Sequence, residues 1–201
     1  MFVITADQRG SRTGADLVPS GLAAITGVGG ARLALAPERT AGDELQVAVP
    51  DARAALEIVL HLTRTGAWSV GVGVGAVEEP LPANVRAARG DAFLHAREAV
   101  ERAKRTPTRV AIVGGAQGAD AEALVRVLIE LRDRRTTEGW EVSDLLEEGL
   151  SQRDAAARLG ITESAVSLRV RNAGLRTEEA AIPALERVLQ RVDELLTAPP
   201  R

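Results

Sequence analysis

Apolar and polar positions follow two rhythms along this chain. MFVITA is apolar from the start and predicts a buried strand, and DQRGSR after it predicts a polar turn. ADLVPSGLAAI predicts a helix with Pro19 in its first turn. ARLALAP and ELQVAVP each alternate apolar and polar residues, with the turn-like ERTAGD between them, so 32–49 predicts a β-hairpin. Asp51 then caps a helix over AALEIVLHLTR, and WSVGVGVGAV predicts a strand carrying three glycines. DAFLHAREAVERAKR predicts a helix capped by Asp91, TRVAIVGG a strand, and ADAEALVRVLIELRDRR a helix leading out of the first domain. The order is β-α-β-β-α-β-α-β-α. From Trp140 onward the pattern is helical throughout, with short helices over 140–148, 151–159 and 162–172 and a longer one from about 180 to 197. RDRRTTEG is the expected boundary, giving an α/β domain over 1–135 and an all-α domain over 138–201.

Composition narrows the classes open to such a chain. Apolar residues at 45% and charged residues at 26% suit a soluble globular protein. Aromatics are only 2%, so the core is built from Ala, Val, Leu and Ile. With no Cys, a disulfide scaffold and a cysteine metal site are excluded, and His61 and His95 alone do not make a conventional zinc site. No apolar run approaches the ~18–20 residues of a membrane span, and the N-terminus lacks a basic-then-apolar signal layout. A cytoplasmic protein with no membrane partner is the expectation.

Net charge is −3, which argues against a uniformly basic coat for nucleic acid. Its distribution changes that picture. Arg153, Arg158, Arg169, Arg171 and Arg176 stand against only Asp154 and Glu163, while Glu138–Glu148 just before them carries acids alone. Basic charge is focused on one small segment.

That segment has the spacing of a helix-turn-helix. Ser151 caps its second short helix, Ala156 is small enough for close approach, Gly160 suits a left-handed helix end, and Thr162 caps the third helix. Leu159, Ile161, Val166 and Val170 fall inward. Gln152, Arg153, Thr162, Glu163, Ser164, Ser167, Arg169, Arg171 and Arg176 are the candidate DNA-contacting residues, because small hydroxyls and guanidinium groups match base edges and phosphates. The pattern resembles that of sigma-factor region four and of many bacterial repressors. The plainer alternative is a three-helix bundle used for protein contact. In the last helix Ile182, Leu185, Leu189, Val192 and Leu196 form a stripe suited either to a partner helix in a homodimer or to the helix's own domain.

Two acids in the first domain raise a second possibility. Asp7 ends a buried-type strand and Asp43 lies at the hairpin tip. If those strands are neighbours, the two face one another, and paired carboxylates are relieved by a cation such as Mg²⁺ carrying nucleotide phosphates. Gln8, Arg9, Gly10, Ser11 and Arg12 form a turn whose N–H groups and guanidinium groups suit phosphate. The alternative is that Asp7 and Asp43 are strand-end residues held by backbone N–H groups or by Arg12.

Asp7, Gly42-Asp43-Glu44-x-Gln46, Gly71-x-Gly73-x-Gly75, Gly90-Asp91-Ala92-Phe93 and Ala96-Arg97 together resemble a class III nucleotide cyclase or related palm domain. The chain is closer still to the SatD-like bacterial proteins, which join such a region to a C-terminal helix-turn-helix. The resemblance implies a ferredoxin-like α+β sandwich, metal at Asp7 and Asp43, and a nucleotide contact at Arg97. The family's active cyclases place Asn four residues before that Arg; here it is Phe93, so the resemblance implies nucleotide binding without cyclisation, and no catalytic residue is assigned.

Other motifs fail on context. GVGVGA is followed by VEEPLP and not by the helix a dinucleotide fingerprint needs, so its glycines predict a close helix approach or a ligand-facing surface. GGAQGAD lacks a GK[ST] ending, and GVGGAR over 27–32 predicts a flexible turn. The functional expectation is a sequence-specific DNA-binding regulator, working on double-stranded DNA, with an N-terminal sensory or dimerisation domain and a possible nucleotide effector. A metal-dependent nucleotidyl cyclase with a helical assembly module is the alternative.

Overall fold

The first strand, β1 (Phe2–Gln8), runs through the middle of a five-stranded sheet in the computed structural model, which describes residues 1–197. The order is β2 (Leu35–Arg39), β3 (Glu44–Val49), β1, β4 (Trp68–Val74), β5 (Val110–Val113). The first three pairings are antiparallel and β4–β5 is parallel. β1 is central because it is apolar at successive positions, as a strand covered on both faces must be.

Period-two alternation sorts the strands' side chains between the two faces. On the Ala6 side, α1 (Val18–Gly29) packs beside α2 (Ala52–Thr63), and a Cβ on Gly21 would strike Leu45 and Trp68. On the Val3 side lies α3 (Asp91–Ala103), pressed so close that a Cβ on Gly71 would stand 2.1 Å from the Val100 nitrogen and one on Gly73 2.1 Å from the Ala92 carbonyl. The alternating glycines therefore serve close helix approach. The inner side of α3 is correspondingly Ala92, Ala96, Ala99, Val100 and Ala103.

One compact unit comprises residues 1–126 together with 185–201; a second comprises 127–184. The division falls inside two helices, α4 (Gly115–Asp133) and α8 (Leu175–Thr197). The second unit holds the end of α4, the first part of α8, and α5 (Thr137–Glu147), α6 (Gln152–Leu159) and α7 (Glu163–Asn172). Its core is Val142, Ala155, Ala156, Val166 and Val170. The last four residues of the predicted domain 138–201 lie outside the described range. No helix among the described residues is long and apolar enough to cross a membrane.

Several expected boundaries move, each for a local reason. α1 continues through Gly27 to Gly29 and a 3-10 turn follows over Gly30–Arg32, where a flexible turn was expected; buried Ile25 and the Leu33 side chain lying over Gly29 outweigh glycine's poor helix propensity. The N-cap of α3 is Gly90 at φ 127°, not Asp91, because a Cβ there would strike the Ala76 carbonyl oxygen and the Val77 Cα. α5 begins at Thr137, with the Thr136 hydroxyl accepting from the Gly139 N–H. α8 begins at Leu175, so Pro183 is interior to it. An interior Pro forfeits a backbone bond at about 3 kcal/mol; the turns before it are anchored by Glu178, which accepts from two buried arginines.

Candidate functional site

The helical unit presents one face of α7 outward. Ser151 and Thr162 cap α6 and α7, accepting from the Asp154 and Ala165 N–H groups at 3.2 Å, and Gly160 adopts φ 66° between them. With both starts fixed, Val166 and Val170 are buried while Thr162, Glu163, Ser164, Ser167, Leu168 and Arg171 are exposed. Arg153 and Arg176 are exposed as well, and Gln152 is half-buried. Among the described residues no acidic side chain pairs with Arg153, Arg171 or Arg176, nor with Arg158, which was not among the expected contacts. Arg169 differs, because its Nη1 donates to Glu141 of α5 at 3.2 Å. Of the predicted set, Arg169 is thus the one tied into packing between helices.

Behind this surface lies a charged cluster that no sequence signal indicated. The Arg135 side chain is fully buried. Its Nε donates to the Ala173 carbonyl at 3.0 Å, its Nη1 to the Ser143 hydroxyl at 3.4 Å, and its Nη2 to Glu178. Arg132 donates to the other oxygen of Glu178. Both guanidinium groups lie over the Trp140 ring, at 4.9 Å for Arg132 and 4.3 Å for Arg135. Burial pulls the Arg132 pKa below its ordinary value against the opposing attraction of Glu178. In sequence RDRR reads as the end of a connecting helix at the domain boundary; only the fold shows which of its members turn inward.

The α/β unit carries a cleft of about 540 Å³ beside the hairpin tip. It is lined by Gln8, Ser11, Arg12, Asp16, Arg39 and Asp43 with Gly42. The Ser11 hydroxyl donates to Asp43, and the Gln8 amide bridges the Ala15 carbonyl and the Leu17 N–H at 2.7 and 2.8 Å, so the turn folds back on the strand end. Arg39 bonds Asp16, which with the Val18 N–H holds that carboxyl below its ordinary pKa. Arg12 is exposed and, among the described residues, has no acidic partner.

Gln8, Ser11, Arg12 and Asp43 are therefore brought together, and the rest of the predicted set is not. Asp7 lies on the α3 side of β1, its carboxylate 3.0 Å from Lys104 Nζ. Burial acts against the Lys104 charge, but bonds to Glu101 and Asp7 leave its pKa above the ordinary value. The Arg9 side chain donates to the Gly66 carbonyl at 2.6 Å, and Gly10 serves the turn through its own carbonyl and a φ of 69°. Arg97 is exposed on α3 and does not line the cleft. As placed, Asp7 and Asp43 do not share the cleft, and no group of three or more His, Asp or Glu side chains among the described residues is arranged to hold a metal ion.

No protein-family model and no curated protein matches the chain. Among solved structures, a crystal structure of a regulator of polyketide synthase expression from Bifidobacterium adolescentis is similar at 16% identity and a TM-score of 0.28, over 96% of this chain and 80% of that one. A likeness that slight carries no weight for fold or function.

Proposed function

We propose that the chain is a DNA-binding transcription regulator whose helical unit is a helix-turn-helix and reads duplex DNA through α7. One observation carries this reading. The outward side of α7 and its cap shows hydroxyls at Thr162, Ser164 and Ser167 with an exposed Arg171, and among the described residues no carboxylate pairs with Arg171, with Arg176 of the adjoining groove or with Arg153 at the start of α6. An arginine left without a counter-ion next to a row of small polar side chains suits phosphate and base-edge contact. The β1-α1-β2-β3-α2-β4 order supports a ferredoxin-like, palm-type sandwich for the other unit. On this reading the chain is SatD-like, the α/β unit senses a nucleotide with or without Mg²⁺ at the Asp43 cleft or mediates assembly, and two copies bind paired half-sites as a homodimer.

The test is binding of the full chain to promoter duplexes across a salt series. Affinity falls steeply with salt, because each neutralised phosphate releases counter-ions. Arg153→Ala and Arg171→Ala together flatten that dependence. Binding that ignores both salt and these substitutions would contradict the proposal. The Asp7–Lys104 ion pair on the other side of β1 favours this reading over a metal-dependent nucleotidyl cyclase, which needs Asp7 and Asp43 on one ion.

A further inference from the structure

We propose that the groove between the end of α7 and the start of α8 is a clamp for one phosphate of the DNA backbone, distinct from base reading at the start of α7. This rests on the DNA reading above and assigns a part within it. The groove measures about 380 Å³ and is lined by Ser167, Val170, Arg171, Gly174, Arg176 and Thr177. Arg171 comes from the last turn of α7 and Arg176 from the first turn of α8. Both are exposed and, among the described residues, neither meets a carboxylate, unlike Arg169, Arg132 and Arg135 in the same unit.

Two guanidinium groups at one groove repel each other unless an anion lies between them, and among the described residues no acidic side chain lines this one. Its polar side chains are two guanidinium groups and two hydroxyls, all able to donate. A base edge mixes donors and acceptors, whereas a phosphodiester offers only acceptors and a negative charge. That composition selects the phosphate.

The walls are built in advance. Arg135 donates to the Ala173 carbonyl in the turn joining the two helices. Glu178, next to Thr177, is held by Arg132 and Arg135. Gly174, at φ 67°, lies against Leu131, whose Cδ1 would be 2.9 Å from a Cβ. A turn held in this way spends little ordering entropy when the ligand arrives. Arg171 also stands roughly 12 Å along the helix from Glu163, at about 1.5 Å per residue, so base reading near the start of α7 and phosphate binding at its end are spatially distinct.

The experiment measures binding of the full chain to its preferred duplex and to a scrambled one by fluorescence anisotropy over a salt series. Arg171→Ala and Arg176→Ala each reduce the slope of log affinity against log salt by about 0.9, and weaken both duplexes by the same factor. Ser164→Ala instead changes the ratio between duplexes. A neutral methylphosphonate walked along one strand finds a position that weakens the wild type and leaves the double arginine variant unaffected. Salt-dependent binding with an unchanged slope in the double variant overturns the clamp and spares the DNA reading. No duplex binding by the wild type overturns both. Inorganic phosphate alone is the last arm. If it saturably shifts the Arg171 and Arg176 side-chain NMR signals while no methylphosphonate position responds, the groove takes free phosphate and the backbone assignment falls.

Discussion

Gly73 illustrates how much a single missing methyl group decides. α3 lies directly on β4, and an added Cβ at Gly73 would meet the Ala92 carbonyl oxygen at 2.1 Å and the Ala96 nitrogen at 2.2 Å. These are backbone atoms, so relief requires moving the helix. Gly73→Ala is expected to destabilise by about 3 kcal/mol or more, the upper end of overpacking costs. Gly27 is the control: it is helical, with open space around its Cβ position. Gly27→Ala is expected to stabilise by about 0.5–1 kcal/mol through backbone entropy. Urea midpoints measure both, and equal shifts would refute this account of the glycine strand. The run GVGVG was legible as a close-approach or ligand-facing surface; sequence alone did not choose, because both leave the same absence of side chain. Asp7 shows the reverse limit. Its position at a strand end was readable, but which face it takes, and that Lys104 waits there, depends on an α3 end almost a hundred residues away.

β5 shows how an element is protected at the edge of a sheet. Among the described residues its outer side has no strand partner, and unpaired edge groups invite association between chains. Here α4 supplies the missing bonds. Buried Glu122 accepts from the Ile112 N–H at 2.7 Å, and the Arg126 Nε donates to the Val110 carbonyl at 3.1 Å. Glu122 is itself held by Arg102 and Arg126 at 2.9 and 3.0 Å. Glu122→Ala leaves a buried N–H unmet and is expected to cost roughly 1–3 kcal/mol, with increased self-association. Chemical denaturation and light scattering check the two effects; a variant as stable and as monodisperse as the parent would disprove the edge-capping role. Caps at Asp51, Ser151 and Thr162 were readable as elements' starts, because capping is a local contract between one side chain and N–H groups two or three residues on. The start of α8 was not, because Pro183 suits a helix's first turn, whereas here a buried ion cluster of Glu178 with Arg132 and Arg135 carries the helix back to Leu175.

The chain as a whole carries a reporter in each of its two compact units. Trp68 begins β4 in the unit of residues 1–126 and 185–201, and Trp140 lies under Arg132 and Arg135 in the unit of residues 127–184. Glu178→Gln keeps the shape of the anion and removes its charge, leaving two inward-facing guanidinium groups without it. Breaking a buried pair costs about 3–5 kcal/mol. The transition followed by Trp140, read in a Trp68→Phe background, is therefore expected to fall well below that of the same background with Glu178 intact. A shift seen by Trp68 in a Trp140→Phe background and not by Trp140 would contradict the assignment of this cluster to the helical unit.

What the sequence determined by itself was local. Strand and helix order, the hairpin, the caps at Asp51, Ser151 and Thr162, and the small apolar core of three short helices follow from periodicity and from side chains acting on neighbours a few residues away. The tertiary structure decided what depends on partners distant in sequence. It turned Arg135 inward and left Arg171 and Arg176 outward, set Asp7 and Asp43 to different surroundings, and chose helix over ligand for the glycine strand. The physical reason is one of range. A hydrogen bond to the next turn is written in the spacing of residues, whereas an ion pair or a close backbone contact exists only after the chain has folded back on itself.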